Sequence, residues 1–416
     1  MMIEFRVSNF RSIKKEQVLS LVASKDKTYD DSHLIEVKGK KGLPKLVRSA
    51  AIYGLNGAGK SNLIRAISFL KNFVYESATI VQPGQSLNVQ PFLLDNTTSV
   101  KPSEFEITFS NKGVRYQYGF SLTAERIHEE WLLVYKTAKP QQWFKRTYNN
   151  KTKREEYEFS DKLLGQRKVW QESTRQNSLF LSTAVYLNSE QLRPIFDFIV
   201  NKMICLPSTS LIPIDISIGM LENNETKENL EQFLVSSDVS ITHITLVRKK
   251  HQRQVIQVDA SKTNIQNDEV DMLLPQFHHK SDTGAVTLGL QDESGGIQRL
   301  FALSGLILNV LKNGQILIID ELETSLHPLL VISLINLFHN PKININGAQL
   351  IFTTHNTSFL DLDLFRRDQI WFIDKHRDQS TILQPLTDFS PRKGENLEAG
   401  YLSGRYGAIP ILQNIQ

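Results

Sequence analysis

Residues 54–61 read Gly-Leu-Asn-Gly-Ala-Gly-Lys-Ser, which matches the spacing Gly-x-x-x-x-Gly-Lys-Ser without a mismatch. An apolar segment, Ser49–Tyr53, precedes this loop, and apolar residues at helical spacing follow it from Ser61 to about Tyr75. The glycines let successive backbone N–H groups face an anion, and the N-terminus of the helix adds partial positive charge. The sequence therefore predicts a strand, a phosphate-binding loop and a helix in succession, an arrangement that belongs to α/β folds.

Several side chains of the loop have specific chemical roles toward a nucleotide. Lys60 is expected to reach the terminal phosphates, and the hydroxyl of Ser61 is expected to ligate Mg²⁺. The guanine-specific motif Asn-Lys-x-Asp is absent from the sequence, which favours ATP over GTP. We therefore expect ATP and Mg²⁺ as cofactors. The other nucleotide-binding residues predicted here are Asn56, Gly57, Ala58, Gly59 and Asn62.

Two later strands end in polar residues that suit hydrolysis. Asp320 and Glu321 follow the aliphatic strand Gln315–Ile319. Asp320 is expected to hold Mg²⁺ through water, and Glu321 to act as general base on the attacking water. His355 follows the strand Gln349–Thr354 and is expected to donate a hydrogen bond to the γ-phosphate or to this water. An acidic pair is also common as a helix cap and a single histidine is more often structural, but the phosphate loop favours catalysis.

A second glycine-rich segment, Ser294-Gly295-Gly296, precedes an apolar helix predicted over Ile297–Leu311. Serine is a common N-cap, so a purely structural role is the simpler interpretation. The two glycines would also expose helix N–H groups to an anion. Because the chain already has its own phosphate loop, this second site predicts contact with a nucleotide held by another subunit. We therefore expect a homodimer that encloses two ATP molecules.

These motifs, in this order, resemble the ABC-type ATPases of the SMC, RecF and OLD group. The resemblance implies that the serine–glycine signature crosses a dimer interface. The segment Asn9-Phe10-Arg11-Ser12-Ile13 is similar to the start of these proteins and implies that Arg11 lies near the nucleotide. Residues 322–328 resemble the loop that couples the two sites. The usual signature of the group is Leu-Ser-Gly-Gly-Gln, and this chain departs from it with Glu293 before the serine and Gln298 one position late. Gln90 and Gln117 are the candidates for its Mg²⁺-sensing glutamine.

A narrower resemblance is to bacterial abortive-infection ATPases of the RloA/AbiL type. It rests on residues 90–95, residues 177–182 and the C-terminal segment Gly404–Pro410. It implies a sensor ATPase of an anti-phage system that acts with a separate effector, a Toprim-like nuclease being one candidate. The alternative is a DNA-repair or chromosome-maintenance ATPase of RecF or SMC type, which would bind DNA. The sequence does not determine whether such dimers form a higher assembly.

Composition excludes several classes of protein. The chain has 416 residues, of which 40% are hydrophobic, and no apolar run approaches the ~18 residues that a membrane span requires. Cys205 is the single cysteine, which excludes an intramolecular disulfide and a cysteine-built zinc site. The first residues lack the plan of a secretory signal. We therefore expect a cytoplasmic protein with no membrane partner.

The predicted fold class is α/β, an ABC-type P-loop ATPase head whose mixed sheet has an antiparallel N-terminal β region, with an α-rich insertion. Alternating patterns from about 86 to 135 predict the antiparallel strands. The predicted division is an N-terminal ATPase lobe over 1–140, an inserted lid or partner-docking region over 141–280 and a C-terminal lobe over 281–416. Within the insertion, Ser189–Met203 and Thr226–Ser236 are predicted helices.

The formal net charge of +4 is too small to indicate nucleic acid by itself. Two segments, residues 145–154 and 248–253, are richer in lysine and arginine. Such runs are usually solvated faces of loops or strands, and contact with a phosphate backbone is the less common alternative.

Overall fold

The computed structural model describes residues 1–36, 43–137, 139–208, 210–237, 240–259, 262–281, 284–392 and 394–407. Ala408, Ile409 and Pro410 of the predicted C-terminal motif lie outside these ranges. For His251 and Arg253 in the second basic segment, the structure describes the backbone but not the side chains. None of the described helices combines the length and the apolar composition needed to cross a bilayer.

The described strands number eighteen. In chain order they are β1 (Met2–Ser8), β2 (Gln17–Ser20), β3 (Leu34–Ile35), β4 (Leu46–Val47), β5 (Ser49–Gly54), β6 (Ser103–Asn111), β7 (Val114–Leu122), β8 (Ile127–Tyr135), β9 (Gln141–Asn149), β10 (Arg154–Phe159), β11 (Met203–Leu206), β12 (Ile241–Asp259), β13 (Lys262–Ser281), β14 (Gly284–Gly289), β15 (Ile316–Ile319), β16 (Gln349–Thr353), β17 (Ile370–Lys375) and β18 (Thr381–Pro385).

Ten α-helices accompany them in the described ranges. They are α1 (Asp30–His33), α2 (Lys60–Glu76), α3 (Arg167–Ser173), α4 (Phe180–Tyr186), α5 (Arg193–Asp197), α6 (Asp215–Glu222), α7 (Asn224–Ser236), α8 (Gly295–Asn313), α9 (Pro328–His339) and α10 (Leu397–Leu402).

The chain divides into two compact units. The first consists of Met1–Ser210, Leu311–Glu323 and Val331–Gln416, and the second of Leu211–Val310 and Thr324–Leu330. This division differs in extent from the predicted one, with limits at 140 and 280. The strands β9 and β10 complete a sheet of the first unit, and β11 joins another, so residues 141–210 belong there.

A six-stranded sheet in the first unit carries the predicted motifs. Its order is β11-β15-β16-β5-β17-β18, and all neighbours pair in parallel except β17 and β18. The strands read as runs of aliphatic residues because both faces of a parallel sheet are covered. Carboxyl ends of parallel strands meet at one edge. The residues that follow β5, β15 and β16 therefore gather at that edge.

The second sheet of the first unit is antiparallel and has seven strands in the order β10-β9-β8-β7-β6-β1-β2. Helix α2 packs on it through Phe69 and Phe73, whose rings lie 4.8 Å from Phe105 and 5.5 Å from Phe120. The same buried cluster includes Ile52 of β5. Helix α2, which starts at the phosphate loop, is thus fixed by both sheets. The predicted mixed α/β class with an antiparallel N-terminal region is confirmed.

The second unit combines helices with a sheet in the order β12-β13-β14. Its apolar core includes Leu230 of α7, Ile244 of β12, Phe277 of β13 and Phe301 of α8. The strands β12 and β13 form a hairpin of 19 and 20 residues, which sequence patterns did not predict. The inserted region therefore contains substantial β structure as well as helices.

The helical segment predicted over Ser189–Met203 is present but shorter than predicted. Helix α5 covers Arg193–Asp197, a π-helical turn covers Phe198–Lys202, and Met203 already belongs to β11. Pro194 favours the first turn of a helix, so α5 starts there rather than at Ser189. Parallel pairing of β11 with β15 then overrides the helical pattern.

The first basic segment contains a buried structural arginine. Arg146 is 1% exposed and donates to the carbonyl of Ser178 at 2.7 Å and to the carboxylate of Glu155. The fully buried Glu130 lies 3.8 Å from Arg146 and accepts hydrogen bonds from the backbone N–H groups of Phe180 and Leu181, at 2.6 and 2.9 Å. Burial raises the pKa of Glu130. The expectation of a solvated face therefore fails for Arg146, which joins the sheet to α4.

We predict that Glu130→Ala lowers the free energy of unfolding by about 3–5 kcal/mol, because it removes the buried negative charge beside Arg146 and leaves the backbone N–H groups of Phe180 and Leu181 without their buried acceptor. Urea unfolding followed by circular dichroism measures the change. The matched control is Glu129→Ala, since Glu129 is half-exposed and its one ion pair among the described residues is with Lys145 at 3.5 Å. The control should cost less than about 1 kcal/mol. Equal losses in both variants would contradict the structural role of Glu130.

Candidate active site

The phosphate loop approaches neighbouring chain segments too closely for any residue but glycine at two positions. A Cβ on Gly54 would lie 2.2 Å from the carbonyl oxygen of Ile373. A Cβ on Gly59 would lie 2.1 Å from the hydroxyl of Thr381, and its φ of +114° also favours glycine. The hydroxyl of Thr381 donates to the carbonyl of Ala58 at 2.8 Å. Contacts with Ile373 and Thr381 therefore restrict the conformation of the loop.

Lys60 is the first residue of α2 and is only 5% exposed. Its ammonium donates to the carbonyls of Gly54 and Leu55 at 2.6 and 3.0 Å, and lies 3.3 Å from Nδ1 of His355. Burial lowers the pKa of Lys60 to about 8. The protonated amine thus carries a desolvation cost that an anion beside it would offset.

Asp320 and Glu321 are held by one hydroxyl group. Thr353, at the end of β16, donates to Oδ1 of Asp320 at 2.6 Å, and the same hydroxyl accepts the backbone N–H of Glu321 at 2.8 Å. Glu321 has a φ of +53°, which non-glycine residues seldom adopt. The hydroxyl of Thr353 therefore fixes both the metal-ligand candidate and the backbone turn that aims the general-base candidate.

His355 contacts three other residues of the site. Its backbone N–H donates to Glu323 at 2.6 Å, and its Nε2 lies 3.7 Å from Oε1 of Glu321. Burial, and then the charge of Lys60, lowers the pKa of His355, so the ring is neutral at physiological pH. Because Nδ1 faces the ammonium of Lys60, it must be the acceptor. Nε2 then carries the proton, toward Glu321 and the cavity.

A cavity of about 450 Å³ lies over the loop. Eight predicted site residues line it, together with Leu55 and Arg65: Asn56, Gly57, Gly59, Lys60, Ser61, Asn62, Glu321 and His355.

The residues present fit Mg²⁺ and a nucleotide. Asp320 is 3% exposed, and its Oδ2 is buried with no hydrogen-bond partner among the described residues. A carboxylate oxygen in that state suits a bound cation or its water shell. The ammonium of Lys60 lines the same cavity and suits a phosphate.

The other predicted residues lie elsewhere. Ala58 belongs to the loop, but it is buried and does not line the cavity. Arg11 does not line the cavity, and its guanidinium lies 5.5 Å from the ring of Phe10. Gln117 accepts a hydrogen bond from Tyr135 in the antiparallel sheet, and Gln90 is exposed. Neither glutamine lines the cavity. The signature residues Ser294, Gly295 and Gly296 belong to the second unit.

Sequence reasoning did not assign roles to several residues of the site. Thr353 precedes His355 by two residues at the end of a predicted strand, and this position next to the strand of the acidic pair could have indicated its contact with Asp320 and Glu321. Glu323 lies two residues after Glu321, a spacing that gave no signal. Arg65 lies one helical turn after Ser61, on the face of α2 that lines the cavity.

We predict that nucleotide affinity falls as the pH rises above about 8, by up to tenfold per pH unit, because unliganded Lys60 then loses the proton that attracts phosphate. Below pH 8 this residue adds no pH dependence. Isothermal titration calorimetry from pH 7 to 9.5 measures the slope. The control is Lys60→Arg, whose guanidinium stays protonated throughout. A wild-type affinity that is constant across the range would contradict the assignment.

We predict that Thr353→Val lowers the turnover number by about 10- to 100-fold while ATP affinity changes less than about threefold, since it removes the hydroxyl that orients Asp320 and Glu321. Steady-state phosphate release and nucleotide titration separate the two effects. The matched control is Thr354→Val, also fully buried, whose hydroxyl accepts only the N–H of Asn356 in the described contacts. Equal turnover in the two variants would exclude this role for Thr353.

Comparison with known proteins adds distant structural similarity. The SMC head domain from Thermotoga maritima has a TM-score of 0.41 and 14% identity, with 92% of this chain and 98% of that chain covered. An SMC head bound to the C-winged helix domain of ScpA has the same TM-score and identity, covering 92% and 96%. A third, an Smc head with an extended coiled coil bound to the C-terminal domain of ScpA derived from Pyrococcus furiosus, covers 93% and 97% at the same values.

No curated protein matches the chain. A family model described as "AAA domain, putative AbiEii toxin, Type IV TA system" matches residues 49–361, which is about three quarters of the chain. The matched region begins with β5 and includes the phosphate loop, the acidic pair and His355. The chain therefore belongs to this AAA-domain family.

Proposed function

We propose that this protein binds ATP with Mg²⁺ and hydrolyses the γ-phosphate, using ATP to close two copies into a dimer. One observation carries the proposal: the segments that follow three neighbouring parallel strands bring Lys60, Glu321 and His355 around one cavity, and the hydroxyl of Thr353 holds Asp320 next to Glu321. The membership of an AAA-domain family supports it.

Different residues of the site have different roles in the proposed reaction. Backbone N–H groups of the loop and the ammonium of Lys60 bind and orient the phosphates. Ser61 and Asp320 would hold Mg²⁺, which when bound neutralises charge on the phosphate oxygens. Glu321 accepts a proton from the attacking water. The neutral ring of His355 donates from Nε2 to the same water or to the γ-phosphate.

The signature turn supports a dimer. Ser294 caps α8 by accepting the backbone N–H of Ile297 at 3.3 Å. Gly296 lies so close to the carbonyl of Ser325 that a Cβ would stand 3.0 Å from it. The exposed first turn of α8 therefore presents N–H groups to an anion. We assign that anion to the triphosphate bound by a second copy, so that ATP binding and association are linked.

We propose that the biological role is defence against phage, with the ATPase restraining or delivering a separate effector protein. The family description, which refers to a toxin and a toxin–antitoxin system, supports this role. A Toprim-like nuclease stays one candidate effector.

The DNA-binding alternative receives less support from the surface. In the second basic segment, Arg248 pairs with Asp271 at 3.6 Å and Lys250 pairs with Glu269 at 3.0 Å. Cross-strand carboxylates thus offset charge that phosphate contacts would need. In the first segment, Arg146 is buried.

We predict that Glu321→Gln lowers turnover by about 10²- to 10⁴-fold, because an amide cannot accept the proton of the attacking water. ATP binding is retained, so size-exclusion chromatography with light scattering should find the mass of two 47.5 kDa chains when ATP and Mg²⁺ are present. Lys60→Ala is the control that should bind no nucleotide and stay monomeric. Wild-type turnover in Glu321→Gln would overturn the assignment of the base, and an ATP-saturated monomer would overturn the dimer.

A further inference from the structure

The residue before the signature serine is a buried carboxylate with a histidine partner. Glu293 occupies a position where the resembling ATPases have leucine, and its side chain is only 3% exposed. Its Oε1 lies 2.6 Å from Nε2 of His279, whose side chain is 12% exposed. A buried carboxylate is costly unless it is paired, so this contact constrains both residues.

His279 is itself fixed in orientation. Its Nδ1 lies 3.0 Å from the hydroxyl of Ser240. Because carboxylate oxygens are acceptors, this contact suits a proton on Nε2, and Nδ1 can then accept from the serine hydroxyl. His279 belongs to β13, where its backbone lies opposite Ile241 of β12 and Val286 of β14. The central strand of the sheet therefore determines where the imidazole lies.

Contacts on the other side bind Glu293 to the start of α8. The amide of Gln298 donates to the backbone carbonyl of Glu293 at 2.8 Å, and the backbone N–H of Gln298 donates to the carbonyl of Ser294 at 3.0 Å. Any shift of Glu293 thus moves Ser294 and the first turn of the helix. The glutamine that stands one position late relative to the usual signature has this function here.

We propose that His279 is a positioning residue that, through Glu293, holds the Ser294–Gly296 turn in the conformation that binds the nucleotide of a second copy. The hairpin of β12 and β13 then controls how tightly ATP joins two chains. This inference rests on the proposed ATP-driven dimer. It also explains why a carboxylate, rather than leucine, stands at position 293.

The test uses the full chain carrying Glu321→Gln, with His279→Ala, His279→Gln or His243→Ala added. Glutamine keeps an N–H donor near the place of Nε2. His243 is the matched control, because it is exposed and its ring stacks on His278 without a described contact to Glu293. Three quantities are measured with ATP and Mg²⁺: nucleotide affinity below the dimerisation concentration, the dimer dissociation constant by analytical ultracentrifugation, and the thermal unfolding midpoint.

We expect His279→Ala to lower the affinity of each Ser294–Gly296 turn for the nucleotide of the second copy about tenfold, which is the usual effect of losing a hydrogen bond to a carboxylate. A twofold-symmetric dimer uses both turns, so its dissociation constant should rise about a hundredfold. Nucleotide affinity and the unfolding midpoint should stay near the parent values. His279→Gln should recover most of the loss, and His243→Ala should match the parent.

Several outcomes would overturn the inference. A His279→Ala protein that dimerises like the parent would exclude positioning by His279. Equal losses in His279→Ala and His279→Gln would exclude a role for the donated hydrogen bond. Parallel loss of nucleotide affinity and thermal stability would indicate a merely structural residue. A parent that stays monomeric with ATP would contradict the proposed function itself, and this inference with it.

Discussion

Parallel pairing of β15, β16 and β5 is the constraint on which the site depends. The register places Ile319 opposite Phe352, and Thr353 opposite Ile52, so β16 ends one residue beyond β15 and β5 ends two residues beyond β16. The phosphate loop, the acidic pair and His355 are far apart in the chain, and only this pairing brings them together. The hydroxyl of Thr353 then links one strand end to the next. Site geometry is thus a consequence of strand register.

Some parts of the fold could be predicted, because their sequence has a strong periodic pattern and the rest of the structure packs against the same residues. Helix α2 was expected from about Ser61 to Tyr75 and extends over Lys60–Glu76, because its apolar stripe meets both sheets. Alternating sequence patterns predicted antiparallel strands from about 86 to 135, and β6, β7 and β8 lie in that range. At the site, the glycine loop and the strand-end carboxylates were visible because their chemistry requires particular residue types at particular spacings.

Long-range pairing accounts for what the patterns missed. Met203–Leu206 continues an apolar run that suits a helix, yet an available edge beside β15 makes it a strand. The basic segment that contains Arg146 looked solvated, because nothing local indicates that Glu130, sixteen residues earlier, lies buried beside it. Glu323 is another residue whose partner the local sequence does not indicate, because it accepts a hydrogen bond from the backbone of His355, 32 residues away. Such partners are determined by topology and not by local sequence.

Two buried groups show how the site favours its ligands. The ammonium of Lys60 is desolvated enough to lower its pKa to about 8, and Oδ2 of Asp320 is buried without a described hydrogen bond. Each group is less stable in the unliganded chain than in water. Anionic phosphates beside Lys60 and a cation beside Asp320 would remove both costs together. The fold therefore holds a lysine and a carboxylate, at a cost in stability, in the positions that a magnesium nucleotide requires.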